Sequence, residues 1–195
     1  MAKERRIPYN RSMNWVRQNW TVFTILVLVF SAGWIVFSPP AGAVTGGQIP
    51  APREGFLAPD FILLDEQGNT IQLSALRGKP VLVNLWASWC APCKAEMPAM
   101  QTVHEQYGPQ GFTILAVNTT FQDDRQNALN FAADRGLTFP ILFDMDGSVS
   151  RKYQVRSMPT SFFIDRKGMV RRMVIGGPMS EALLRAEIER LLEEE

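Results

Sequence analysis

Cys90 and Cys93, the only cysteines in the chain, stand where an apolar strand hands over to a helix. Upstream lies the apolar, β-branched run Val81–Trp86, and downstream the helix-forming stretch Lys94–Tyr107. Cys90 therefore falls at a helix N-terminus, where unpaired backbone N–H groups and the helix dipole favour negative charge. A thiol placed there loses its proton more easily, and the thiolate is the nucleophile of disulfide exchange. A second thiol two residues on can close a ring with the first. Two other readings compete. A structural zinc site wants four ligands, and beyond the two cysteines the chain offers one histidine, His104, well down the helix. A purely structural bridge closes so short a loop that it removes little chain entropy. A dithiol cycling between reduced and disulfide forms is favoured over both.

The chain has 195 residues, 46% of them hydrophobic, and a formal net charge of +1. That suits one globular domain plus a further segment. The charge balance hides an asymmetry. Lys3, Arg5, Arg6, Arg11 and Arg17 precede the first long apolar run, opposed there only by Glu4. That run, Trp20 to Phe37, carries no charge. At about 1.5 Å per residue it just crosses a hydrocarbon core of ~30 Å. The cationic flank belongs in the cytoplasm and everything after the run outside it. Trp15, Trp20 and Trp34 suit the interfaces. A cleaved signal peptide ending at Ala41-Gly42-Ala43 is the rival, and an uncleaved anchor is preferred because the run is longer than a usual signal core. Arg5-Arg6 makes a weak twin-arginine signal, interrupted by Pro8. No basic patch mixed with aromatics is present, which argues against a nucleic-acid partner. The predicted divisions are a cytoplasmic tail over 1–19, a transmembrane signal-anchor over 20–38, a Pro/Gly-rich spacer over 39–58 and a globular domain over 59–195.

That domain reads as α/β. A hairpin is expected over Phe61 to Leu73 around Glu66-Gln67-Gly68-Asn69. The nearly continuous apolar strand Val81–Trp86 is expected at the sheet centre. A helix follows over Ala91–Tyr107, then a buried strand Phe112–Asn118. Asp124–Arg135 is amphipathic, with Ala128, Phe131 and Ala132 on one face. Ile141–Phe143 is a short strand. Ser161–Asp165 and Val170–Ile175 form a hairpin around Arg166-Lys167-Gly168. Ser180 caps a last helix reaching Leu192, with Leu183, Leu184, Ile188 and Leu191 inward.

Trp89-Cys90-Ala91-Pro92-Cys93-Lys94 resembles the active-site signature of the thioredoxin superfamily. Val155-Arg156-Ser157-Met158-Pro159-Thr160-Ser161-Phe162-Phe163-Ile164-Asp165 resembles its second signature, in which a cis-proline precedes a strand. The anchor, the opening hairpin, Glu96-Met97-Pro98 and the extra segment from Gln122 to Pro140 narrow the likeness. Together they resemble the TlpA/ResA-like thiol–disulfide oxidoreductases, with an AhpC/TSA–redoxin-like domain. The resemblance spans about Pro59 to Leu192. It implies a thioredoxin-like fold: a central mixed β-sheet flanked by helices, an N-terminal β-hairpin and an inserted αβ segment, preceded by one transmembrane helix.

The resemblance also assigns roles. Cys90 is the attacking thiol and Cys93 the inward-facing thiol that resolves the mixed disulfide. Pro159 is the cis-proline packed against the disulfide, and it leaves the backbone of Met158 free to pair with a partner polypeptide. Trp89 covers the site, and Thr160 completes the partner-binding turn. Each residue also has a plainer reading: aromatics pack wherever area is available, and trans is the default for a strand-opening proline. Asn84 occupies the position at which cytoplasmic thioredoxins carry a buried aspartate. Glu96, one turn after Cys93, takes over proton handling for the dithiol. A carboxyl near a buried thiol can accept or return its proton, although an acid in the first turns also stabilises the dipole. Pro98 deletes one backbone donor and is expected to kink its helix.

The expected protein is a membrane-tethered, extracytoplasmic dithiol reductant of protein disulfides. The family implies an apocytochrome c or a copper-centre subunit of an oxidase as partner, and a membrane thiol transporter as electron donor. No cofactor and no metal is required. The same motif would serve an oxidant that installs disulfides, separated only by reduction potential. A peroxidase of the peroxiredoxin class shares the fold, but places its cysteine in a Pro-x-x-x-Thr-x-x-Cys setting that residues 84–93 lack. A Cu(I)-binding module would use both thiols as soft ligands.

Overall fold

The computed structural model describes residues 19–37 and 49–193, without the side chains at 21 and 32–37. The cationic residues of the tail, the last residue of the predicted anchor and the 39–48 part of the spacer, with Ala41-Gly42-Ala43, lie outside the described residues.

Two units are distinct, the first ending at Val44. Its described residues form helix α1 (Trp20–Phe37), 18 residues with no charged residue in the sequence. At 1.5 Å per residue this is about 27 Å, against a hydrocarbon core of ~30 Å. Among the described residues no helix is long and apolar enough to cross a membrane. The transmembrane helix of the sequence reading is thus not found there, because much of its apolar run, from 32 onward, lies outside the described side chains.

In the second unit, β1 (Ile62–Leu64) and β2 (Thr70–Gln72) form the expected antiparallel hairpin. Asp65 ties its turn by accepting from the backbone N–H groups of Gln67 and Asn69. The main sheet has five strands in the order β5-β4-β3-β6-β7. These are β3 (Val81–Trp86), β4 (Thr113–Asn118), β5 (Ile141–Phe143), β6 (Thr160–Ile164) and β7 (Val170–Ile175). β3, β4 and β5 run parallel, whereas β6 and β7 run antiparallel to their neighbours, so the sheet is mixed. The helices are α2 (Ala91–Tyr107), α3 (Arg125–Asp134), α4 (Ser148–Lys152) and α5 (Glu181–Glu193).

β3 is central and every one of its residues is buried. Its pleat divides them between two apolar clusters. Leu82 and Trp86 join Met97, Met100, Ile188 and Leu191 on the side of α2 and α5. Val81, Val83 and Leu85 join Phe61, Leu73, Tyr153 and Phe162 on the other. Each such side chain contributes roughly 1.5–3 kcal/mol on full burial, which is why an unbroken apolar run reads as a strand covered on both faces. Asn84 shares the pleat of Leu82 and Trp86, so its amide points toward α2 from inside the core.

Asp124 caps α3 by accepting from Asn127 N–H at 2.9 Å. Ser180 caps α5 through Leu183 N–H. Leu184, Ile188 and Leu191 are buried, while Leu183 packs at the cluster's margin. Helix α2 runs through Pro98. Helix α4 was not foreseen; Asp144 nucleates it by accepting from the N–H groups of Val149 and Ser150 and from Ser150 Oγ. Residues 51–58, on the spacer side of the predicted boundary, run against β7: Gly55 donates to Val170 O, and Ala58 to Gly168 O.

Candidate active site

The β3–α2 junction carries the dithiol. Cys90 is the N-cap of α2, with Pro92 in the first turn. The two cysteines form a disulfide with Cα atoms 5.3 Å apart. The amide of Cys93 donates to Cys90 Sγ at 3.3 Å. A free N–H of the first helical turn is thus aimed at the sulfur that would carry negative charge on reduction. Cys90 is 5% exposed and Cys93 not at all, so Cys90 is the outer residue of the pair.

The β3–β6 register pairs Leu85 with Thr160. This sets the turn before β6 beside the end of β3. The Met158–Pro159 bond is cis, as the likeness implied. Met158 packs on the cluster containing both cysteines, and its sulfur accepts from Thr119 Oγ1 at 3.3 Å. Thr160 Oγ1 donates to Ser157 O at 2.7 Å, which closes the turn. Trp89 stands 57% exposed, with its indole N–H donating to Gln122 O at 3.0 Å.

Glu96 is completely buried. Asn84 Nδ2 donates to its Oε1 at 2.8 Å, and the Met179 N–H to its Oε2 at 3.0 Å. Burial pushes its pKa above the ordinary 4.5, opposed by the hydrogen bonds from Met179 and Asn84. Asn84 Nδ2 also donates to Ser161 Oγ at 2.9 Å, its cross-strand partner in the register. Glu96 stands three positions after Cys93, an i,i+3 spacing, so both lie on one face of α2. The carboxyl is enclosed by Asn84 of β3, the Met179 amide and Gly177.

Gly177 closes the back of this arrangement. A Cβ there would lie 2.7 Å from Pro159 Cγ and 2.8 Å from Glu96 Oε2. Gly177→Ala therefore displaces the proline turn or the carboxylate. We expect it to cost about 1–3 kcal/mol as an overpacked core position does, read as a lower denaturation midpoint. An unchanged midpoint would show that the turn yields freely.

Asp123 is a site residue that the sequence reading passed over. Its carboxylate accepts from Ser88 N–H and Ser88 Oγ, both at 2.6 Å, from Asn118 Nδ2 at 2.8 Å and from Asp124 N–H at 2.9 Å. Burial alone would raise its pKa, but the hydrogen bonds from Ser88, Asn118 and Asp124 outweigh that and hold it below the usual range. The only available signal was the mostly polar stretch Thr119 to Asp124, interrupted by Phe121, after a buried strand. Among the described residues no group of three or more His, Cys, Asp or Glu side chains is arranged to hold a metal ion.

A family model described as the AhpC/TSA family matches residues 55–173. The thiol-disulfide oxidoreductase ResA of Geobacillus kaustophilus is 37% identical over 169 residues, covering 87% of this chain and 90% of that protein. Among solved structures, StoA from Bacillus subtilis is 28% identical and covers 66% of this chain and 96% of that one, with a TM-score of 0.59. A secreted Mycobacterium tuberculosis disulfide oxidoreductase homologous to E. coli DsbE is 26% identical. It covers 67% of this chain and 96% of that one, with a TM-score of 0.61.

Proposed function

Because the chain belongs to the AhpC/TSA family and is a thiol–disulfide oxidoreductase of ResA type, we propose that it reduces disulfides of partner proteins while tethered to a membrane. The observation that carries the reading is the outer sulfur of Cys90 at a helix N-cap, with the Cys93 amide directed at it. The reduced Cys90 thiolate attacks one sulfur of the partner disulfide. A Cys90–partner S–S bond forms, the partner's own S–S bond breaks, and its second sulfur leaves as thiolate. Cys93, deprotonated with Glu96 as acceptor, then attacks Cys90. The mixed disulfide breaks, the Cys90–Cys93 bond forms, and the partner departs with the two electrons as thiolates that take protons from water, while Glu96 releases the Cys93 proton to solvent. Met158 and Thr160, around Pro159, hold the partner backbone, and Trp89 shields the reacting sulfurs.

The uncharged run of α1 and the cationic residues before it support an anchor with the domain on the extracytoplasmic face. The secreted relative supports the same compartment. There the partner is an apocytochrome c, whose paired haem-binding cysteines must be reduced, or an oxidase subunit awaiting copper. A membrane thiol protein re-reduces Cys90–Cys93.

The test is insulin reduction by the full chain in detergent with a thiol donor, alongside Cu(I) titration of the reduced protein. Turnover that requires both cysteines is expected. Tight Cu(I) binding without turnover would replace the enzyme with a metal-binding module. In intact cells, a membrane-impermeant thiol reagent should label Cys90 after mild reduction. Protection until lysis would overturn the extracytoplasmic location.

A further inference from the structure

Asp123 meets donors only. Four N–H or O–H groups converge on its two oxygens: Ser88 N–H and Asn118 Nδ2 on Oδ2, Ser88 Oγ and Asp124 N–H on Oδ1. Such a set suits an acceptor-only, ionised carboxylate. An asparagine of the same shape would turn an NH₂ group toward two donors. The contacts join three pieces of chain. Asn118 ends β4 and is fully buried, so the carboxylate is anchored to the sheet. Ser88 is the second residue before Cys90. The short 3-10 turn Thr120–Gln122 lies between, and its last carbonyl receives the Trp89 indole N–H.

The same turn faces a groove on its other side. A cavity of about 130 Å³ is lined by Thr119, Phe121, Gln122, Val155, Arg156 and Met158, among others. A more open one of about 400 Å³ adjoins it, sharing Phe121, Gln122, Val155 and Arg156. The groove begins at Met158, next to the proline turn. A polypeptide laid across Cys90 and Met158 would continue along it.

We propose that Asp123 is a positioning residue which, by locking the Ser88–Trp89 turn to the 120–122 turn, shapes the surface that receives the partner polypeptide beside Cys90. This rests on the thiol–disulfide reading above. It assigns Asp123 no chemistry on sulfur: its effect is on protein substrates, which need the wall formed by Trp89, Phe121 and Gln122, and not on small disulfides, which react at Cys90 and Cys93 without that wall.

Steady-state kinetics of the full chain on insulin and on a small aromatic disulfide separate the two. Asp123→Asn should lower kcat/KM for insulin about tenfold, mostly through KM, and leave the small disulfide within twofold. Trp89→Phe, which removes the indole N–H that donates to Gln122 O together with the ring carrying it, should shift the same ratio in the same direction. Asp123→Glu, which keeps the charge, should recover part of the loss. If Asp123→Asn lowers both substrates equally, or neither, the proposal is overturned. If Asp123→Asn does not fold, Trp89→Phe decides: an unchanged insulin-to-small-disulfide ratio sinks it. A wild-type chain that turns over neither substrate instead overturns the thiol–disulfide reading.

Discussion

Cys93→Ser should accumulate a stable mixed disulfide between Cys90 and its partner, and Cys90→Ser should accumulate none and lose turnover entirely. The asymmetry follows from position. Cys90 caps the helix, is the cysteine with residual exposure, and receives the Cys93 amide. Cys93 is one turn inside and fully enclosed. Once Cys90 has been attached to a partner, only a thiol already within the ring distance of the 5.3 Å Cα pair can release it. Serine at 93 removes that thiol and leaves Cys90's surroundings in place. Non-reducing gels followed by mass spectrometry read the trap and identify what it holds. Equal trapping by both variants would mean that the two sulfurs have exchanged roles.

Glu96→Gln should slow exchange at neutral pH by about a hundredfold, at the lower end of what a positioned proton acceptor contributes. It should also change how stability depends on pH. Burial sets the folded pKa of Glu96 above its ordinary 4.5, in spite of the hydrogen bonds from Met179 and Asn84. The folded state then binds this proton more tightly than the unfolded chain does. The contribution is full below the unfolded value and is lost as pH rises through the folded one. The stability of the wild type relative to Glu96→Gln should therefore decline as pH is raised from about 4.5. Thermal melts of the oxidised proteins across that window read the difference. A constant gap, with an unchanged rate, would reduce Glu96 to a buried structural carboxylate.

What could be read in the sequence was what is local in the chain. The Cys90–Cys93 turn at the end of an apolar strand, the hairpin turns at Gly68 and Gly168, and Ser180 ahead of α5 each carry their signal within a few residues. Pro159 needed the family pattern around it, because nothing local distinguishes a cis from a trans bond. The Asp123 clamp was invisible for a physical reason. Its four donors come from Ser88, Asn118 and Asp124, and they meet only when β4 lies parallel beside β3. Glu96 was visible as a residue type, but its enclosure depends on Met179 and Gly177, about 80 positions downstream. Helix α4 escaped notice because five residues are too few to show a 3.6-residue period, and Asp144 organises it from outside.

The central claim is that the Cys90–Cys93 couple gives electrons to its partners. The most direct measurement is its reduction potential, obtained by equilibrating the full chain against glutathione or dithiothreitol buffers and counting thiols. A reductant should fall near thioredoxin's ~−270 mV. A value near the ~−120 mV of a disulfide-installing oxidant would contradict the account.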